Sequence, residues 1–202
     1  MRDDALATVP PSELPLYDEI LSLPLGGKRY EATPANGPGR KWSKADAIAE
    51  LGAEIKGANF NSGRNLFHAT TCAKCHRFAG EGGAIGPDLS TAGRKFSLPD
   101  LMDAILEPSK AISDQYGSHQ ILTDDGTTLL GRVVEIGDEY HIYTLDANAP
   151  PAVVKKSDVE EMNVSKISQM PVGTMDSLNH QEFKDLIAYI LSGGDQNAAV
   201  FK

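Results

Sequence analysis

Only two cysteines occur in the 202 residues, Cys72 and Cys75, three positions apart. That excludes a disulfide-rich scaffold and a four-cysteine zinc site. Tryptophan occurs once, at Trp42, and aromatic residues make up 6%, so the core is modest. No run approaches the ~18 consecutive apolar residues of a membrane helix, and no transmembrane segment is expected. Positive charge is short: 19 Lys and Arg face 28 Asp and Glu, net −9. That argues against a nucleic-acid partner, because phosphate contacts are made by Lys and Arg. A basic start followed by an apolar leader is also missing. Met1-Arg2 is expected to begin a trimmed chain, from which an export signal or upstream domain has been removed.

What is present is unevenly spread. Residues 41–117 balance 9 basic against 9 acidic groups, whereas 118–168 carry 4 against 9, net −5. The acidic stretch is expected to be a solvated face or, more sharply, a docking surface for a basic partner. Residues 1–41 are rich in Pro and Gly and are expected to be an extension or linker with one amphipathic run, Leu16 to Leu23. Ser43 with Asp46 predicts a helix start, with Ala47, Ile48, Leu51 and Ile55 at helical spacing and Gly57 at its end. A second helix starting near Asn61-Ser62 is expected to put Gly63, Leu66, Phe67 and Thr70 on one face. Next come the cysteines and a glycine-rich loop, Gly80 to Leu89. Ser97 with Asp100 caps a third helix, Leu98 to Glu107, stopped by Pro108. Beyond Gln120 the period changes to two, which predicts strands at 121–123, 128–136, 140–145 and 153–155, with turns at Asp124-Asp125-Gly126 and Gly137-Asp138. A last helix begins at Asn179 with Glu182, carries Phe183, Leu186, Ile187, Ile190 and Leu191 as an apolar stripe, and ends at Gly193-Gly194.

Cys72-x-x-Cys75-His76 is the spacing of covalent haem attachment. Two thiols three residues apart can add to the two vinyl groups on one porphyrin edge, and the next residue then lies under the iron. A thioredoxin-like dithiol would follow a buried strand, and here a helix precedes. A zinc site needs four ligands, and only His68 and His76 lie near. The expected cofactor is one covalent haem c with its iron. His76 takes one axial position. The other is usually methionine in an electron carrier, because a thioether raises the potential and blocks small ligands. Met170, followed by the stiff Pro171, is the favoured candidate and Met175 the runner-up. Met102 is expected to be core, and Met162 to end the β segment. His119, His141 and His180 are expected at the surface.

These motifs together resemble a family. Gly63-x-x-x-Phe67, Cys72-x-x-Cys75-His76, Gly86-Pro87-x-Leu89, Met170-Pro171 and a C-terminal helix with Tyr189 are similar to class I cytochromes c. The resemblance implies a mainly α fold around the haem, with the first and last helices crossing near Gly63, Phe67, Leu186 and Tyr189. It also implies that Pro87 offers its carbonyl to His76, that Leu89 packs on the haem and that Arg94 reaches a propionate. The longer run Glu81 to Leu89, with Ile105-Leu106-Glu107-Pro108-Ser109, Tyr116, Thr123-x-Asp125-Gly126 and Ser168-x-Met170-Pro171, resembles the planctomycete-type haem-binding domain subgroup, although Gln169 stands where that subgroup has Leu. Residues 121–134 look like the start of a small Sm-like or SH3-like barrel.

The expected organisation is a linker over 1–41, a cytochrome domain over 42–117 and 168–194, a β insert over 118–167 and a tail over 195–202. The expected function is a monohaem electron carrier, not an enzyme, with a redox protein as partner and an extracytoplasmic location. Alternatives are the electron-accepting module of a larger secreted dehydrogenase, a haem-based sensor or gas binder, and an interaction domain centred on the β segment.

Overall fold

A computed structural model describes residues 30–52, 55–144 and 149–202. The run Leu16 to Leu23 lies outside them. Residues Ala32–Lys202 form one unit.

Six α-helices occur among the described residues: α1 Lys44–Leu51, α2 Phe60–Ala69, α3 Cys72–Cys75, α4 Ala92–Lys95, α5 Leu98–Leu106 and α6 His180–Leu191. Their starts are chemically marked. Ser43 Oγ accepts from the Asp46 N–H at 3.1 Å, and Asn59 Oδ1 from the Ser62 N–H at 2.9 Å. Asn179 and Glu182 form a reciprocal capping box at α6. α1 ends sooner than its apolar spacing predicts, because Gly52 takes φ +65° directly after Leu51. That left-handed step costs glycine nothing and breaks the helix.

α2 and α6 cross closely. A Cβ added at Gly63 would stand 2.3 Å from the Asp185 carbonyl oxygen and 2.6 Å from Tyr189 Cβ. Only glycine lets the two helices touch there. The core lies around this crossing and includes Leu66, Phe67, Met102, Phe183, Leu186 and Ile187. Phe78 stands 5.2 Å from Phe67 and 4.9 Å from Tyr189, ring to ring. Trp42 stacks on Phe183 at 4.0 Å and 17°. From the tail, Phe201 meets Phe60 edge-on at 5.4 Å.

Residues 33–37 are strapped across the two crossing helices. Thr33 N–H donates to Asn65 Oδ1 at 2.9 Å, and the Asn36 and Gly37 N–H groups donate to the Glu182 carboxylate at 2.5 and 3.3 Å. Asn179 Nδ2 returns a bond to the Gly37 carbonyl at 3.0 Å.

The strands are β1 Arg77–Phe78, β2 Glu81–Gly82, β3 His119–Thr123, β4 Thr128–Ile136, β5 Glu139–Tyr143, β6 Ala152–Lys155 and β7 Val159–Val164. β1 and β2 make a two-stranded hairpin, and the rest form an antiparallel sheet in the order β6-β5-β4-β3-β7. The architecture is therefore mixed, with more strand than the mainly α expectation, which already placed a β insert between the third helix and Met170. Alternating side chains between α5 and α6 cannot satisfy a helix period, and they build a sheet with its own small core at Ile121 and Ile142. β7 was absent from the sequence expectation. Its Val-Glu-Glu-Met-Asn-Val run lacks strict alternation, and it lies at a sheet edge beside β3, where one side needs no partner strand. No helix among the described residues is long and apolar enough to cross a membrane.

Candidate functional site

α2 hands the chain to the cysteines through Thr71, which takes φ +66°. The turn that follows, α3, places Cys72 and Cys75 at i and i+3, on one side of a helical turn. The His76 N–H closes it by donating to the Cys72 carbonyl at 2.9 Å. Thr70 is buried, and its hydroxyl donates to the Leu66 carbonyl at 2.7 Å. Its single proton is thereby used, so in the 3.3 Å contact with Cys72 Sγ the thiol is the donor. Both cysteines are free, and burial pushes each thiol above its ordinary pKa.

The glycine-rich loop lies flat on the back of this turn. Gly83 N–H donates to the Ala73 carbonyl at 2.9 Å, Gly86 N–H to the Cys75 carbonyl at 2.8 Å, and Leu89 N–H to the Arg77 carbonyl at 2.9 Å. Added Cβ atoms at Gly82 and Gly83 would come within 2.1 Å of the His76 carbonyl oxygen and 2.2 Å of that of Lys74. At Gly86 the Cβ would stand 2.6 Å from His76 Cε1, inside the imidazole's own contact distance. The loop is also tied to α2: Glu81 bonds Arg64 and lies 3.2 Å from His68 Nε2.

His76 Nδ1 is 2.8 Å from the Pro87 carbonyl oxygen. A carbonyl only accepts, so Nδ1 carries the proton. Burial lowers the His76 pKa, and the Pro87 bond only partly offsets that. The ring is therefore neutral at pH 7 with the lone pair on Nε2, the form in which imidazole ligates a metal.

The other expected residues fall in several places. Cys72, Leu89 and Met170 are half-buried and pack against the same helical core. The Met170 N–H donates to Ser168 Oγ at 3.1 Å. Met175 is 1% exposed and Met102 fully buried, both within that core, while Met162 is on β7 at the surface. Arg94 is exposed on α4 and lines a groove with Ser90, Gly93 and Leu191 to Gly193. His180 bonds Glu50 and meets Trp42 edge-on at 5.5 Å. His141 lies 3.5 Å from Glu139 in the sheet. His119 is half-buried on β3, and its Nδ1 is buried with no hydrogen-bond partner among the described residues. Gly82 and Gly83 were read in the sequence as part of a glycine-rich loop and a family motif, without a contact assigned to either. Their signal was glycine at three of the five positions 82–86, flush against the motif.

Residues 60–128, about a third of the chain, match the family model described as Cytochrome c. That segment runs from α2 through the cysteines to the first residue of β4. No curated protein matches the chain. A cytochrome c domain carries covalent haem c with its iron, and the two cysteines present suffice for one such group. The structure fits it. Two free thiols share one turn, a neutral imidazole follows with its free nitrogen unprotonated, and Gly86 leaves the ring face clear of a side chain. With that domain comes an electron-carrying role and a redox partner.

Proposed function

We propose that this protein is a monohaem c-type cytochrome passing single electrons, with Cys72 and Cys75 as thioether anchors and His76 and Met170 as axial ligands. The observation that carries it is the 2.8 Å bond from His76 Nδ1 to Pro87, which presents Nε2 as the ligand atom. Haem c supplies a one-electron couple whose potential depends on axial ligands, burial and hydrogen bonding.

The chain's own contribution is positioning. Cys72 and Cys75 make loss of the group impossible without breaking a covalent bond. Pro87 holds the imidazole in one tautomer and orientation, so the ligand needs no rearrangement when the charge changes. Gly86 lets the backbone lie against the ring. Met170, already packed against the core that holds Cys72 and Leu89, supplies the second ligand. Leu89 packs on the group, and Arg94 serves a propionate.

The Ser168-x-Met170-Pro171 run supports the planctomycete-type subgroup. The order β6-β5-β4-β3-β7, in which the first strand of the sheet pairs with the second and the last, supports a small Sm-like or SH3-like barrel over 118–167. Covalent haem attachment supports an extracytoplasmic location. The Pro- and Gly-rich start supports a place behind an upstream dehydrogenase domain.

Intact mass and optical spectra of both oxidation states test the proposal. The expected result is the mass of one haem and a low-spin spectrum with the Met–iron charge-transfer band. Rapid, complete carbon monoxide binding by the reduced protein would overturn it.

A further inference from the structure

Between β7 and α6 the chain passes Met170 without joining any strand or α-helix. Backbone N–H groups in such a stretch still need acceptors. Here serine hydroxyls supply them. The Ile167 N–H donates to Ser165 Oγ, the Ser168 N–H to Ser109 Oγ and the Met170 N–H to Ser168 Oγ, each at 3.1 Å. Pro171 has no N–H to place. The stretch is pinned at its start by the Ser165 N–H on the Ser118 carbonyl at 2.8 Å, so the sheet's entry and exit strands close into one neck.

We propose that Ser168 is a positioning residue for Met170, itself seated on Ser109. This rests on Met170 being the axial ligand. Ser109 follows the buried Pro108 at the end of α5, whose Leu101, Met102 and Ile105 are core residues. The hydroxyl relay Ser109 to Ser168 to Met170 therefore transmits the position of a rigid helix to the methionine backbone. It also isolates the methionine from the sheet, because a displacement of β7 meets the Ser109–Ser168 bond before it reaches residue 170. Without the relay, the thioether would sample positions off the iron.

The test uses haem-loaded full chain carrying Ser168→Ala, Ser168→Thr or Ser109→Ala. The readouts are the Met–iron band, the midpoint potential and the carbon monoxide binding rate of the reduced protein, with thermal stability measured alongside. Ser168→Ala is expected to raise the carbon monoxide rate about five-fold, the worth of one neutral hydrogen bond. It should also weaken the band and lower the potential, and Ser168→Thr should restore all three. Ser109→Ala keeps the Ser168 hydroxyl and should move the same readouts in the same direction; it also serves if Ser168→Ala does not fold. A band present in the wild type and unchanged in both alanine variants overturns the role of Ser168 alone. A threonine variant as loose as the alanine one does the same. A wild type with no Met–iron band overturns the ligand assignment and this role together.

Discussion

Pro87 holds His76 by its backbone, not its side chain: the carbonyl oxygen takes the Nδ1 proton at 2.8 Å across eleven residues of sequence. The residue just before, Gly86, leaves the room that makes this possible. The glycine-rich loop thus backs the His76 ring closely.

Gly86→Ala is expected to displace the His76 ring, because its Cβ would stand 2.6 Å from Cε1. Overpacking of this kind costs about 1–3 kcal/mol. Haem-loaded yield and the Soret spectrum of the variant measure it. A variant with wild-type yield and spectrum would show that the ring has slack.

Gly63→Ala should destabilise the unit through the α2–α6 crossing, by about 1–3 kcal/mol or somewhat more. The obstacle is a backbone oxygen 2.3 Å away, which no rotamer change relieves. Denaturant unfolding of the haem-loaded protein gives the number, with the midpoint expected to fall at unchanged slope.

Glu182 makes part of the stability depend on acid. Burial pushes its carboxyl up, but the backbone N–H groups of Asn179, Asn36 and Gly37 outweigh that and hold it below 4.5. A depressed carboxylate pKa stabilises the fold above the unfolded value, and the gain is lost as pH falls through the folded one. Glu182→Gln should cost about 1–3 kcal/mol at neutral pH and show a shallower loss of stability below 4.5 than the wild type. Unfolding curves across that range check both parts.

Met170→Ala should abolish the Met–iron band and open the iron to carbon monoxide, while Met175→Leu should keep the band and lose only packing. A near-isosteric core swap of that kind costs under about 1.5 kcal/mol. Near-infrared or visible spectra of the two oxidised variants separate these outcomes. If the roles came out reversed, Met175 would be the ligand.

Helix starts were legible because caps are local: Ser43, Ser97 and Asn179 each bond an N–H three residues on. The end of α1 was misjudged because Ile55 continues the apolar spacing beyond Gly52, and the backbone outranks the pattern. Four strands of the sheet could be read from alternation, but β7 could not, since an edge strand with Glu160 and Glu161 carries little periodic signal. The strap at Thr33 to Gly37 was illegible for a different reason. Its Pro- and Gly-rich composition reads as linker, and its bonds go to Asn65 and Glu182, one of them 146 positions away.

By itself the sequence determined the attachment chemistry. Covalent capture needs only two thiols and an imidazole within five residues, and local spacing settles that. Tertiary structure decided the state of His76. The His76 tautomer depends on where Pro87 falls after the loop folds back, and the closeness of α2 and α6 depends on a glycine meeting a carbonyl 122 positions further on. Hydrogen bonds and steric limits act through space at about 3 Å, and no reading along the chain supplies those distances.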